Sequence, residues 1–299
     1  MILHPEQNYF NQECIWNHTQ WSEHEEKRLQ KTRALVPEDA FSIVDIGCGD
    51  GTLINQLKKN VVVGVDFSRT ALKKVRTLKV LTNVSHLPFR DHSFDCVICT
   101  GLLEHLDNGV HKNAIMEIQR VSSKYLLVGV PFNENLLEAL CRCPNCGNKF
   151  HAYLHKRRYD VRSIKEYFAG FKLLKLLLFN GHSYYNSVLL KIRQDICGSY
   201  SYNPKAICPR CGYSFSSGEP PKLTIINRTV SVICALVNFF LRYVIRPFKR
   251  DNATSLVILM EKRNALYSTK TQADLLPSHH TFVDSVISQT WVDISSNHS

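Results

Sequence analysis

No stretch constrains this chain more than Asp45-Ile-Gly-Cys-Gly-Asp-Gly51. It joins a short apolar run, Phe41 to Ile46, to a segment of helical composition, Thr52 to Lys59. Glycines at alternate positions between a strand and a helix give a tight turn whose backbone a ligand can approach closely. The strand–helix alternation then continues. Val61 to Val65 is a β-branched strand ending at Asp66, Arg69 to Leu78 reads as a helix, and Lys79 to Asn83 as a third strand. Phe94 to Thr100 is a fourth strand, Lys112 to Val121 a helix, and Tyr125 to Val130 a fifth strand stopped by Pro131. Strands separated by helices of about ten residues imply right-handed βαβ units and a parallel sheet. Further on, Asp160 to Ala169 reads as a helix with Asp160 as its N-cap and Gly170 as its stop. Phe171 to Phe179 is a sixth strand, Leu223 to Phe248 a long apolar helix with basic ends, and Ser255 to Lys262 a seventh strand. The expected fold is α/β: a doubly wound, mostly parallel seven-stranded sheet with helices on both faces. Its 299 residues, with 44% hydrophobic content, suffice for one such core with additions.

Two acids mark the ligand this turn would take. Asp66 ends the second strand about twenty residues on, where a carboxylate can hold both hydroxyls of a ribose. Asp45 stands two residues before the first glycine. A pyrophosphate loop normally has no acid there, because it would repel phosphate. S-adenosylmethionine has no phosphate and carries an ammonium group, so it suits both acids.

Val44 to Gly51 resembles motif I of the class I, Rossmann-like, S-adenosylmethionine-dependent methyltransferases. Gly64-Val-Asp-Phe-Ser68 resembles their ribose-binding motif, and His86-Leu-Pro-Phe-Arg-Asp-His-Ser-Phe-Asp95 with Cys96 to Leu106 resembles their small-molecule branch. The likeness covers roughly residues 40 to 132. It implies a cofactor turn of Asp45, Gly47, Cys48 and Gly49, with Gly47 and Gly49 against the methionine part. It also implies ribose binding by Asp66, adenine packing by Phe67, adenine-edge contacts from Asn83 and Val84, and Thr100 with Gly101 beside the sulfonium. Asn83 departs from the acid usual in the family. The [N/D/S]-P-P-aromatic motif of base amino methylation is replaced by Thr100-Gly-Leu-Leu103, which argues against that chemistry. Metal-dependent relatives use E-x-x-E-H at this point; Glu104 and His105 remain, but Gly101 stands at the first acid, so no catalytic metal is expected. His105 is the candidate general base, its ordinary pKa near neutrality suiting removal of a hydroxyl proton. A packing or capping histidine is the alternative, and His86, His151 and His155 are weaker candidates.

Cys143-Pro-Asn-Cys-Gly147 and Cys208-Pro-Arg-Cys-Gly212 are matched half-sites. Two cysteines two residues apart can grip one tetrahedral zinc, with the glycine turning the chain over it. The first unit follows strand five and the second follows strand six, both at the carboxyl edge of the sheet. Cys143, Cys146, Cys208 and Cys211 are therefore expected to form one structural zinc ribbon capping the cleft, with Cys141 and His151 as spare ligands. Eleven cysteines, an odd number, with four in this pattern, point to a reducing compartment, and Met1 to Phe10 lacks the basic-then-apolar pattern of a secretory signal. A cytoplasmic protein is expected.

The chain divides into an arm and helix (1–40), the cofactor-binding core (41–132), the cap with its core helix and strand (133–222), the apolar helix and last strand (223–263), and a loose tail (264–299). Trp16 and Trp21 are expected to be packing anchors in the arm. Thr229 to Leu241 is too short an apolar run to span a bilayer. It reads either as a buried helix or dimer contact, or as a surface helix at the inner membrane face whose Arg242, Arg246, Lys249 and Arg250 meet anionic lipid. The leading functional expectation is O-methylation of a small-molecule or glycan- or lipid-linked acceptor. The run Phe150 to Tyr159 supports it, resembling bacterial methyltransferases with split knuckles that look linked to cell-surface glycan or lipid synthesis. An RNA methyltransferase, motivated by the net charge of +11, is a weaker alternative. A non-catalytic scaffold is the third, and intact Asp45, Gly47, Gly49 and Asp66 count against it.

Overall fold

The computed structural model describes residues 9–16, 22–180, 185–217, 224–241 and 253–263. Trp21, the basic run Arg242 to Arg250 and the tail from 264 on lie outside the described residues.

Nine strands are present among these residues. They are β1 (Ser42–Ile46), β2 (Val61–Asp66), β3 (Leu78–Leu81), β4 (Phe94–Thr100), β5 (Ser122–Pro131), β6 (Leu140–Arg142), β7 (Lys149–His151), β8 (Phe171–Asn180) and β9 (Ala253–Lys262). Seven form one sheet in the order β3-β2-β1-β4-β5-β9-β8, and β6 and β7 form a separate hairpin. The five strands from β3 to β5 pair in parallel, whereas β9 runs antiparallel between β5 and β8. Strands β5 and β8 therefore point the same way, and their carboxyl ends share one edge.

The central strands are apolar on both faces because both faces are covered. Successive side chains alternate. Val44, Val97, Leu126 and Ile258 enter one core with Ala114 and Ile118 of the helix Asn108–Val121. Ile43, Ile98, Leu127 and Leu259 enter the opposite core beneath Leu35 and Val36, which follow the helix Glu23–Ala34. A capping box between Ser22 and Glu25 starts that helix.

Two expected helices are much shorter than their composition suggests. Thr52 to Lys59 yields only a 3-10 turn, Ile54–Gln56. Asn55 is the reason: its Nδ2 donates to the Lys74 carbonyl and its Oδ1 accepts from Arg76 N–H, so it ties this segment to the next connection. Arg69 to Leu78 likewise gives one helical turn, Arg69–Leu72, before the chain enters β3. The helix Val161–Tyr167 begins at Asp160 as its N-cap, with Ser163 completing the box. The apolar helix, Ile225–Phe240 among the described residues, does not cover the sheet with its apolar face. Its buried residues are Ser231, Cys234 and Asn238, while Ile225, Ile226, Ile233, Leu236, Phe239 and Phe240 are exposed. Ser231 accepts from Arg193 Nε at 2.9 Å, and Asn238 Oδ1 accepts from Asn186 N–H at 2.8 Å. Polar contacts thus hold the helix on, and its apolar side faces outward.

Candidate functional site

The carboxyl ends of β1 and β2 meet at the glycine turn. Gly47 N–H and Cys48 N–H both donate to the Val65 carbonyl, at 2.8 and 3.0 Å, folding the turn back onto β2. Gly47 has φ +75°, and a Cβ there would stand 2.9 Å from Leu102, so conformation and space both demand glycine. Asp66 braces the turn from the other side. Its Oδ2 accepts from Gly49 N–H at 2.9 Å and its Oδ1 from Ser68 N–H at 2.8 Å. Burial raises the Asp66 carboxyl above its ordinary range despite these bonds. Asp45 is buried as well, and its Oδ1 has no hydrogen-bond partner. Burial first, and the charge of Asp66 second, lift its carboxyl to about 8. A buried oxygen left this way costs about 1–3 kcal/mol, and a cationic amine is the partner that would remove the cost.

A cleft opens at this edge, lined by Ile46, Gly47, Val65, Asp66, Phe67, Thr82, Asn83, Val84, Leu102, Leu106, Asp107 and Val110. Five of the cofactor residues expected from sequence are in that lining: Gly47, Asp66, Phe67, Asn83 and Val84. The others stand differently. Gly49 lies under Trp16, whose ring comes within 2.6 Å of where a Cβ would be. The Cys48 thiol packs toward Gly64, and its backbone is spent on the turn itself, N–H to the Val65 carbonyl and carbonyl to Gly51 N–H. Thr100 packs across to Gly129 of β5, and Gly101, at φ +69°, turns the chain so that Leu102 enters the cleft instead. Asn83 Oδ1 accepts from Ser85 N–H at 2.9 Å, so the amide also holds its own loop. Leu102, Leu106 and Val110 were not singled out from sequence, although their four-residue spacing marks one apolar stripe. The arm, Tyr9 to Trp16, crosses the same edge. Ser68 Oγ and Trp16 Nε1 both donate to the Phe10 carbonyl at 2.7 Å, and the Phe10 ring lies 5.8 Å from Phe67 and 5.3 Å from His105.

The two cysteine units come together as one cluster. Cys143 Sγ is 3.6 Å from Cys211 Sγ, and Cys146 Sγ is 3.6 Å from Cys208 Sγ. The four sulfurs lie within 4.8 Å of one another. The two halves are built alike. Cys143 N–H donates to the Asn148 carbonyl and Gly147 N–H to the Cys143 carbonyl; Cys208 N–H donates to Tyr213 and Gly212 N–H to Cys208. Gly147 and Gly212 have φ of +70° and +73°. Hydrogen bonds from Tyr213 N–H and Asn145 lower the Cys211 thiol to about 6, while burial lifts Cys208 to about 12. Four converging sulfurs on two such turns fit a tetrahedral zinc. Cys141 is buried beside them in the same small core and is not part of the cluster.

After β7 the chain returns along the 3-10 turn Leu103–His105. Lys156 N–H donates to the Glu104 carbonyl at 2.8 Å, and Tyr159 Oη donates to the Leu103 carbonyl at 3.0 Å. This sets His155 beside His105, ring centroids 5.0 Å apart. His155 in turn pairs with Glu134, Nδ1 to Oε2 at 2.7 Å. Burial, with neighbouring His155 second, presses His105 down to about 3, so its ring is neutral and weakly basic. Burial alone would raise Glu134, but hydrogen bonds from His151 and His155 hold it at about 2. Burial lifts Glu104 to about 7. His86 is exposed on the loop after β3.

Residues 44–124 match the family model described as a methyltransferase domain. An uncharacterised protein of Methanocaldococcus jannaschii is 36% identical over 100 residues, covering 32% of this chain and 43% of that protein. An uncharacterised methyltransferase of Schizosaccharomyces pombe is 35% identical over 100 residues, covering 27% of this chain and 35% of that protein. The chain thus spans less than half the length of these curated relatives. Among solved structures, a possible histamine N-methyltransferase from Thermotoga maritima superposes with a TM-score of 0.50 at 18% identity, covering 88% of this chain and 100% of that one. At that identity the likeness is one of fold.

Proposed function

We propose, from the premise that residues 44–124 are a class I methyltransferase domain, that the chain is an S-adenosylmethionine-dependent methyltransferase. The observation that carries this reading is the buried, partnerless Oδ1 of Asp45 beside a glycine turn. A phosphate-bearing cofactor would meet a repulsive acid there, whereas an ammonium group would satisfy it. S-adenosylmethionine, when bound, supplies a methyl group on a sulfonium, already activated for transfer to a nucleophile. Asp45, Gly47, Asp66, Phe67 and Val84 would hold it. The chain's own contribution is to bind, orient and dry the cleft. Leu102, Leu106 and Val110 keep water from one wall, and Asp66 fixes the turn before any ligand arrives. Positioning of this kind can supply much of a transfer rate; burial leaves His105 weakly basic, so in this reading the hydroxyl proton is released to solvent once the oxygen carries the methyl group. Calorimetric titration tests the reading: S-adenosylmethionine should bind and NAD should not. Binding of NAD with no response to S-adenosylmethionine would sink it.

The acceptor in this reading is a hydroxyl of a glycan- or lipid-linked molecule at an anionic bilayer surface. Support comes from the helix Ile225–Phe240, which buries Ser231 and Asn238 and exposes Ile225, Ile226, Ile233, Leu236, Phe239 and Phe240. Arg242, Arg246, Lys249 and Arg250 follow it in sequence and complement acidic headgroups. No described helix is long and apolar enough to cross a membrane; the reading takes the contact as a peripheral one. Flotation with vesicles checks this. The protein should rise with anionic vesicles and be left behind when Ile233 and Leu236 are changed to Asp. Equal behaviour of both proteins would remove the bilayer from the reading.

A further inference from the structure

We propose that Glu104, His105 and His155 form a binding site for a divalent transition-metal ion, separate from the cysteine cluster. One ligand atom from each of the three lies within 4.8 Å of the others. Small side-chain rotations would close that spacing to bonds of about 2.0–2.2 Å, the range for imidazole nitrogen and carboxylate oxygen on zinc. Two of the donor atoms have nothing else to bind. Glu104 is 3% exposed and its Oε2 has no hydrogen-bond partner; His105 Nδ1 is buried and equally without one. Buried acids and imidazoles of this kind are normally hydrogen-bonded, ion-paired or metal-bound. Two histidines and one carboxylate, with open positions left over, suit a transition metal better than magnesium or calcium.

The surrounding residues fix which atoms are free. His151 Nδ1 accepts from Tyr153 N–H at 3.3 Å and His155 N–H at 3.2 Å, so its proton sits on Nε2. That Nε2 is buried, lies 3.4 Å from Glu134 Oε1 and makes no well-formed hydrogen bond, so Glu134, His151 and His155 form an adjoining group that shares His155 with the proposed site. Glu134 Oε2 receives His155 Nδ1 at 2.7 Å, leaving His155 Nε2 with its lone pair exposed. Carboxylate–histidine–metal relays use this arrangement to set the tautomer of a ligand. Leu154, between the two histidines, holds φ +59°, a strained conformation for a branched side chain that the local packing enforces. The inference runs against the sequence expectation based on Gly101. The position of that missing acid is not needed, because the cap delivers His155 from some fifty residues further along the chain. It is also independent of the methyl-transfer reading, since it rests on donor geometry and is read by metal content.

The test uses the untagged full chain, freed of metal and reloaded with Co2+. The expected result is two ions per chain. One, on thiolates, should show intense sulfur-to-cobalt charge transfer in the near ultraviolet; the other should show only weak ligand-field bands. His155→Ala should abolish the weak-band ion and keep the thiolate signal. Glu134→Gln, which removes no ligand, should weaken the second ion by about 10–100-fold and also keep the thiolate signal. If His155→Ala disturbs the cap and dims both signals, the Glu134→Gln titration decides. Wild-type protein that binds no ion outside the thiolate bands overturns the site, as does a second ion held equally by wild type and Glu134→Gln. A cysteine cluster without metal would leave the weak-band readout intact.

Discussion

The cofactor edge and the cap solve the same problem, holding polar groups at the rim of one sheet, in opposite ways. At the cofactor edge each group sits within a few residues of a strand end. Asp45 and Gly47 follow from β1, Asp66 from β2, and Leu102 from β4, and the parallel sheet aligns them. Backbone hydrogen bonds do the positioning, as where Asp66 receives Gly49 and Ser68. In the cap, partners lie more than sixty residues apart, as Cys143 and Cys211 do. The supporting core there is small: Cys141, Phe150, Ala152, Ile207, Phe215 and a few others. The lesson is that the first region owes its shape to secondary structure, and the second to a small core and two matched turns that bring its sulfurs together.

The largest effect should separate the two regions outright. Replacing Cys143 and Cys208 by Ser should release the metal and open the cap to limited proteolysis, since structural zinc is worth on the order of 10 kcal/mol in small domains. Cofactor affinity, read by calorimetry, should stay within a few-fold. If it collapsed while circular dichroism still reported the sheet, the regions would not be separable. Next is Asp66→Ala, which on the proposed reading removes a pair of charge-assisted ribose hydrogen bonds worth roughly 1.5–3 kcal/mol each. It should weaken S-adenosylmethionine by two to four orders of magnitude without releasing zinc. Unchanged affinity in folded protein would remove Asp66 from the site.

A finer probe is steric. Gly47→Ala places a Cβ 2.9 Å from Leu102 at φ +75°, and strain with overpacking costs about 1–3 kcal/mol. Leu102→Ala in the same chain should return part of that loss, leaving the share due to φ. Full recovery would show that only space excludes a side chain; no recovery would show that only conformation does.

The smallest effect is a pH dependence. Asp45 titrates near 8 when folded and near its ordinary value, about 4, when unfolded. Over that interval the folded state keeps a proton the unfolded state has lost, so this group's contribution to stability falls as pH rises. An ammonium ligand prefers the ionised acid. Cofactor affinity should therefore climb from pH 6 to pH 8, by at most tenfold per unit, and then level off. Asp45→Asn should flatten the climb, and an equally steep profile in that variant would assign it to another group.

These contrasts explain what could be read from the chain. The limits of β4, the N-cap at Asp160 and the meeting of the two cysteine units were legible because they rest on local pattern or on strand direction. The shortened connections were not, because Asn55 reaches across to Lys74 and Arg76, a tertiary contact that composition does not encode. The entry of Leu102 in place of Thr100 depends on one left-handed glycine. For Ile225–Phe240 the sequence left a buried helix and a surface helix both open, because hydrophobicity alone does not show that Ser231, Cys234 and Asn238 are the residues buried. The pairing of Glu134 with His155, and of His155 with His105, was illegible because the cap path alone brings them together.

The antiparallel strand β9 also sets the order in which this molecule can be completed. Tyr125 pairs with Glu261 and Phe171 with Lys262, so β5 and β8 have no partner between them until the end of the described chain has been made. During synthesis the apolar rows Leu126 to Val130 and Leu173 to Leu177 would wait with unpaired edges, the kind of surface that recruits other chains. Such distant pairing makes closure of the sheet a late and slow event. A nascent chain stalled before Ala253 would be at its most prone to aggregate, and emergence of the ten residues of β9 would end that exposure in one step.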